Sequence, residues 1–212
     1  MIEAACNRDV ETIRTLLEQG ADPNVKVYDE TPLDIICYAG AEPCFEAVKL
    51  LIDHGAKPGN FTLARACEQG DAETIKYLVE HSAPMSEDCF GWYMDNCQQD
   101  SSLRKYLLDH GANINGCSEE WGTPLTRASY YGLEDMVKDL LDLGADPNFS
   151  DGNWPPLLCA CRTDQGNSNL NIVKMLVEHG ADVNCKYNEK TTALSLTKNP
   201  KVKEYLILHG AV

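Results

Sequence analysis

Residues 123–148 read TPLTRASYYGLEDMVKDLLDLGADPN, and the features of this stretch recur along the chain. Leu140 and Leu141 lie four and three residues before Gly144, and Val137 lies seven before it. That is the spacing of one apolar helix face, so the second half of the stretch is expected to be an amphipathic helix. Gly144 meets the requirement of a left-handed C-cap, where a residue without Cβ turns at no steric cost. Upstream, Thr123-Pro124-Leu125 opens a shorter helix: threonine caps free amides, and proline in the first turn loses no hydrogen bond. Ala145-Asp146-Pro147-Asn148 is turn chemistry that projects a loop toward whatever follows.

Working outward, the closing tripeptide returns seven times. The copies are Gln19-Gly20-Ala21, His54-Gly55-Ala56, His81-Ser82-Ala83, His110-Gly111-Ala112, Leu143-Gly144-Ala145, His179-Gly180-Ala181 and His209-Gly210-Ala211. Successive glycine positions, with Ser82 standing for one, are 35, 27, 29, 33, 36 and 30 residues apart. An apolar pair precedes each, from Leu16-Leu17 to Leu206-Ile207, and a third apolar residue lies seven or eight before, at Ile13, Val48, Ile75, Leu103, Val137, Val173 and Val202. The opening signal recurs as Thr31-Pro32-Leu33 and, less perfectly, as Pro155-Pro156-Leu157 and Thr192-Ala193-Leu194. Small residues such as Ala64, Ala66, Ala128 and Ser129 follow it and allow close helix approach.

A unit of about 33 residues carrying Thr-Pro-Leu, two helices, Gly-Ala-Asp and Asn resembles the ankyrin repeat. The resemblance implies an all-α fold, a solenoid of stacked helix-loop-helix units joined by β-hairpin loops, each burying its faces against its neighbours. It divides 1–212 as a single array into approximate repeats 1–27, 28–59, 60–87, 88–117, 118–150, 151–188 and 189–212, the first and last acting as caps. The fourth unit departs from the pattern. Gly91-Trp92-Tyr93 replaces Thr-Pro-Leu, and Asp95 and Asn96 stand where small residues are expected, so its first helix is in doubt. Extra residues at Ala41 to Cys44 and Asp164 to Ser168 lengthen the loops of the second and sixth units.

Composition narrows the function. The chain has 212 residues, 43% hydrophobic and 24% charged, which suits a globular protein with a real core. Eighteen Lys and Arg against 33 Asp and Glu give a formal charge of −15. That balance argues against nucleic acid and anionic membranes, which need clustered cations, and favours a basic partner. Polar residues from Glu3 to Glu11 interrupt any signal-peptide core, and no apolar run approaches the roughly 20 residues of a membrane span. Ten cysteines without an export signal read as thiols in a reducing compartment, hence a cytoplasmic expectation.

No residue set points to catalysis. His54, His81, His110, His179 and His209 share one slot, immediately before the cap, where histidine interacts with the carbonyl end of the helix dipole. A repeated slot is a scaffold feature, whereas a catalytic histidine is expected once, beside an orienting carboxylate. Among the cysteines the closest spacing is Cys159-Ala160-Cys161, which is not zinc-site spacing. Cys37, Cys67, Cys159 and Cys161 take positions otherwise held by Ala or Ser and are expected as buried filler, while Cys117 and Cys185 fall in hairpins. Gly-rich phosphate loops, nucleophile elbows and His-Glu-x-x-His helices are absent. The expectation is no enzyme, no cofactor and no metal.

Recognition is left. In the family that this chain resembles, hairpin tips and the exposed ends of first helices form a concave face that grips partner proteins. The matching positions here are Tyr28, Asp29, Glu30 and Tyr38; Glu68 and Gln69; Trp92, Gln98 and Gln99; Glu119, Glu120, Trp121, Tyr130 and Tyr131; and Asn153, Trp154 and Arg162. Aromatic residues are enriched at interface hot spots, and carboxylates around them favour a basic partner. Tyr130 and Tyr131 are adjacent at a helix end and cannot both face the core. The expected function is non-catalytic binding of a basic protein by a chain monomeric on its own. By analogy with small acidic ankyrin proteins that block a cognate toxin, it extends to stoichiometric inhibition or immunity; the alternative is an adaptor that links two proteins.

Overall fold

The computed structural model describes residues 1–38, 44–87, 89–96, 100–116, 122–150, 152, 154–162 and 169–212, and of residues 95 and 96 the backbone alone. They form two compact units, Met1–Asn113 and Ile114–Val212. The first contains α1 (Ile2–Cys6), α2 (Val10–Glu18), α3 (Pro32–Tyr38), α4 (Phe45–Asp53), α5 (Thr62–Gln69), α6 (Ala72–Glu80), α7 (Cys89–Asn96) and α8 (Ser101–Asp109). The second contains α9 (Pro124–Tyr131), α10 (Glu134–Asp142), α11 (Pro156–Cys161), α12 (Leu170–Glu178), α13 (Ala193–Leu196) and α14 (Pro200–Leu208).

Helix starts follow the capping chemistry. Thr123 accepts a hydrogen bond from the Thr126 amide at 3.1 Å with Pro124 in the first turn. The second helix of a pair opens instead on Asp9, Asp71, Asp100, Asn169 or Asn199, each accepting from an amide of its first turn. The Thr12 hydroxyl and amide hold the Asp9 carboxyl below its ordinary range, and the Ser102 hydroxyl with the Leu103 amide does the same for Asp100.

The recurring Gly-Ala is a Schellman stop. In the stretch first quoted, the Gly144 amide donates to the Leu141 carbonyl at 3.0 Å and the Ala145 amide to the Leu140 carbonyl at 2.9 Å, with Gly144 at φ 92°. Ser82 adopts the same turn at φ 61° despite its Cβ. All five histidines sit at this stop, and in each Nδ1–H donates to the carbonyl four residues back, at 2.7 to 2.9 Å. His81, His110 and His209 also stack on Tyr77, Tyr106 and Tyr205 at 4.0 to 4.1 Å.

Packing runs in two rows within each unit. First helices meet first helices, α3 against α1 and α5, α5 against α7, and α11 against α9 and α13, while α4 packs on α2 and α6 and α12 on α10 and α14. Leu33, Leu63, Ile75, Leu78 and Leu107 are fully buried in the first unit, as are Val137, Leu140, Leu157, Ile172 and Leu206 in the second. Each such side chain contributes about 1.5–3 kcal/mol relative to exposure. Cys37, Cys67, Cys159 and Cys161 are buried filler as expected. Burial pushes the thiols of Cys37, Cys159 and Cys161 up to about 12, and that of half-buried Cys185 up to about 11.

Asparagines fix the turn-to-turn spacing. Asn148 Nδ2 donates to the Gly180 carbonyl at 2.9 Å while its Oδ1 accepts from the Asp182 amide at 2.8 Å. Asn24 does the same with Gly55 and Lys57, and Asn184 with Gly210 and Val212. The turn residue that ends one unit therefore satisfies the backbone of the next.

The hairpin loops close on isolated antiparallel bridges, Val27 with Glu30 and Lys186 with Thr192, and no strand occurs among the described residues. One expectation changes. The doubted first helix of the fourth unit exists as α7. Phe90 and Tyr93 are fully buried and Met94 is 2% exposed, so bulky side chains supply the burial that small residues with Leu supply elsewhere. Tyr93 Oη donates to the Asp100 carbonyl at 2.7 Å and ties α7 to the cap of α8. The lengthened loops lie at residues 41–43 and 164–168, outside the described residues.

Candidate partner-binding face

In the first unit the face begins at a two-residue turn. Val27 and Glu30 exchange backbone hydrogen bonds at 3.0 and 3.1 Å, with Tyr28 at φ 52° and Asp29 at φ 66° between them. Paired positive φ is the geometry of a tight primed turn, and it holds the Tyr28 ring out, 98% exposed. Asp29 pairs with Lys26 at 2.8 Å on the surface. Glu30 reaches inward to Arg65 Nη2 at 2.6 Å, and the same guanidinium lies 4.7 Å from the centre of the Tyr38 ring.

Beneath this contact sits a buried carboxylate. Asp34, the residue after Thr31-Pro32-Leu33, stands where the repeat signature carries histidine. It accepts from the Thr31 amide at 3.0 Å, the Thr31 hydroxyl at 2.8 Å and the Thr62 hydroxyl at 2.5 Å. Three donors make its burial tolerable and couple α3 to the start of α5.

Tyr38, Phe61, Ala64, Arg65, Glu68 and Trp92 line a groove of about 450 Å³. Phe61 is 68% exposed, Tyr38 58% and Trp92 37%. Glu68 has no hydrogen-bond or ion-pair partner among the described residues. Gln69 points elsewhere and, with Cys37, Cys44 and Thr74, lines a small space of about 10 Å³ between helices. A larger polar cleft of about 620 Å³, between Asp22, Asn24, Asp29 and Asp34 on one side and residues 57–61 on the other, shares Phe61 with the groove.

The second unit holds a different cluster. Tyr130 meets Tyr131 edge-on at 5.1 Å; Tyr130 is half-buried and Tyr131 exposed, so only one of the adjacent pair turns inward. Arg162 lies 5.4 Å from the Tyr130 ring and 4.9 Å from the Trp154 ring, and Trp154 stacks on Tyr187 at 5.0 Å. Gln98, Glu119, Glu120 and Trp121, with Gln99 and Asn153, lie outside the described residues.

Sequence reading overlooked Phe61, Arg65 and Tyr187. Phe61 and Arg65 precede and follow Leu63 by two, so helix phase alone puts them near one another. Tyr187 had the weaker signal of an aromatic in a turn. Among the described residues no group of three or more His, Cys, Asp or Glu could hold a metal, and no helix is long and apolar enough to cross a membrane.

Comparison with known proteins places this geometry. The family described as Ankyrin repeats (3 copies) matches residues 1–89, 63–151 and 98–187. The chain is 32% identical over 166 residues to Alpha-latroinsectotoxin-Lt1a of Latrodectus tredecimguttatus, covering 75% of this chain and 11% of that protein. It is 36% identical over 104 residues to Ankyrin repeat and SOCS box protein 11 of Danio rerio, covering 49% and 34%. The chain thus spans about a third or less of the length of these curated relatives. Among solved structures, the human ASB11 ankyrin repeat domain superposes with a TM-score of 0.72 at 27% identity, over 99% of this chain and 97% of that one. Ankyrin-repeat domains generally mediate protein–protein interaction. Profile, relatives and fold agree with the stacked helix pairs and Schellman stops: the chain belongs to the ankyrin-repeat family.

Proposed function

We propose that this chain is a non-catalytic binding module that holds a basic partner protein against the aromatic and acidic face of residues 1–113, one partner per chain, and so blocks or sequesters it. The observation that carries this reading is the groove: three exposed aromatic rings and a carboxylate, Glu68, with no partner among the described residues, in one concavity. Charge distribution supports it. Residues 1–113 carry 20 acidic against 9 basic side chains, while residues 114–212 carry 13 against 9. Large rings contribute area at small entropic cost, and an excess of carboxylates steers a basic partner and disfavours an acidic one.

Affinity capture at low salt, with wild type compared against a Tyr38→Ala, Phe61→Ala, Trp92→Ala variant, tests this reading. A single basic protein retained at one-to-one stoichiometry by the wild type and lost from the variant is the expected result. Undiminished capture by the variant would remove the groove from the account. The Tyr130, Arg162, Trp154 and Tyr187 cluster supports a second reading, an adaptor that uses a separate surface for a second protein; it requires a ligand indifferent to the first variant and lost on Trp154→Ala with Tyr187→Ala.

A further inference from the structure

The first unit's groove and the second unit's cluster occupy the same register of the repeat. Tyr38 and Glu68 lie five residues after Leu33 and Leu63, and Tyr130 and Arg162 lie five residues after Leu125 and Leu157. All four leucines are buried to within 1%. Tyr38, Glu68 and Tyr130 stand on α3, α5 and α9, and Arg162 caps the end of α11; α3 packs on α5 and α9 on α11. The second unit fills this register with tyrosine followed by arginine, and the guanidinium covers the tyrosine ring at 5.4 Å and the next aromatic at 4.9 Å. The first unit has tyrosine followed by a carboxylate at that register, and the cation on its tyrosine comes from Arg65, three residues before Glu68.

Arg65 covers the Tyr38 ring at 4.7 Å and makes no ion pair with Glu68 among the described residues. Its guanidinium is spent on Glu30 at 2.6 Å and on the Asp34 carbonyl at 3.4 Å, which fixes it to the wall beside Tyr38. Glu68 and the 68% exposed face of Phe61 are left turned to the groove. An aromatic face attracts a cation, and the attraction grows as water is displaced; an adjacent carboxylate adds a charge-assisted hydrogen bond.

We propose that the groove of the first unit is a receptor for one arginine or lysine side chain of a partner polypeptide, its stem laid against Phe61 and its charged head on Glu68, at the register position that Arg162 occupies in the second unit. This deepens the protein-binding reading above and rests on it. The occupant is a segment of protein because the ligand must offer a cation on an apolar stem, and the groove volume of about 450 Å³ admits a side chain with part of its backbone.

The test is selection of a phage-displayed random twelve-residue library on the full chain, followed by affinity measurement with synthetic peptides. The expected consensus contains a single arginine or lysine. Replacing it by citrulline or norleucine is expected to weaken binding at least tenfold, as are Glu68→Arg, which supplies the cation in cis, and Phe61→Ala. Glu18→Arg makes the same charge change on the exposed end of α2 and is expected to alter affinity less than twofold. Glu68→Gln serves if Glu68→Arg fails to fold by circular dichroism. Equal effects of Glu68→Arg and Glu18→Arg, a consensus without a basic residue, or no enriched peptide would each overturn the proposal. If the triple aromatic variant loses the captured protein while Glu68→Arg keeps it, the cation receptor fails and the protein-binding reading stands.

Discussion

The two units solve one packing problem with the same motif and dress its exposed register in opposite ways. Residues 1–113 put Tyr38, Phe61, Glu68 and Trp92 around an open groove, and their arginine is held at the wall by Glu30. Residues 114–212 close the comparable register on themselves, with Arg162 between Tyr130 and Trp154 and Tyr187 stacked behind. The first unit carries the larger acidic excess, so the region with the open groove is also the one whose field attracts cations. A repeat scaffold fixes where exposed side chains stand, and a single residue then decides which charge that register presents, Glu68 in one unit and Arg162 in the other.

The largest expected effect concerns the interiors. Burial pushes the thiols of Cys37, Cys159 and Cys161 up to about 12 and closes them to reagent, so at pH 8 they should be alkylated far more slowly than exposed Cys6. Cys185, near 11, should react before them. Site-resolved mass spectrometry after timed labelling measures this; equal labelling of Cys37 and Cys6 would show the first unit to be loosely packed.

Next comes α7, which is particular to the first unit. Phe90→Ala should cost about 3–5 kcal/mol, because it removes a fully buried ring and leaves a cavity. Denaturant melts check it, and a loss below about 1 kcal/mol would show that α7 is peripheral.

The reciprocal exchange sharpens the contrast in binding. With peptides from the selection, Glu68→Arg should lose at least tenfold, about 1.4 kcal/mol or more. Arg162→Glu should create a weak new site for the same peptides beside Tyr130 and Trp154. A gain confined to Glu68→Arg would reverse the assignment of the two registers.

The smallest effect lies at Ser82. Its positive φ carries a Cβ through a turn that glycine makes freely, so Ser82→Gly should stabilise the first unit by about 0.5–1 kcal/mol. Gly180→Ser in the second unit, at φ 91° with open space where its Cβ would fall, should lose a similar amount. A destabilised Ser82→Gly would mean that Ser82 makes a contact worth more than its strain.

Acid should weaken the first unit through its caps. The Asp9 and Asp100 carboxyls are depressed in the fold, so their contribution is present above the ordinary carboxylate value and disappears as pH falls through the lowered one. Asp100→Asn should flatten the stability profile in that acidic window, which pH-dependent melts read directly.

Much of this was legible in the chain. Gly144-Ala145 after Leu140-Leu141 announced a helix stop because only a left-handed residue lets those leucine carbonyls be satisfied, and that local requirement repeats with the period. The buried leucines and the shared histidine slot followed from helical phase. Asn148 was legible only as a turn residue, since its bond to Gly180 spans 32 positions. α7 was left in doubt because its burial rests on Phe90, Tyr93 and Met94, bulky residues where the pattern has small ones, and on packing against α5.

By itself, then, the sequence determined the repeating helix pair, its caps and the overall acidic charge, all of which depend on residues within one or two turns of each other. Tertiary structure alone decided which aromatics share a groove, that Arg65 is engaged by Glu30 across 35 positions, and that Glu68 has no partner among the described residues. The reason is physical: capping and helical phase act over a few ångströms of contiguous chain, whereas the pairing of a charge depends on which side chains the stacking of neighbouring repeats brings within reach of it.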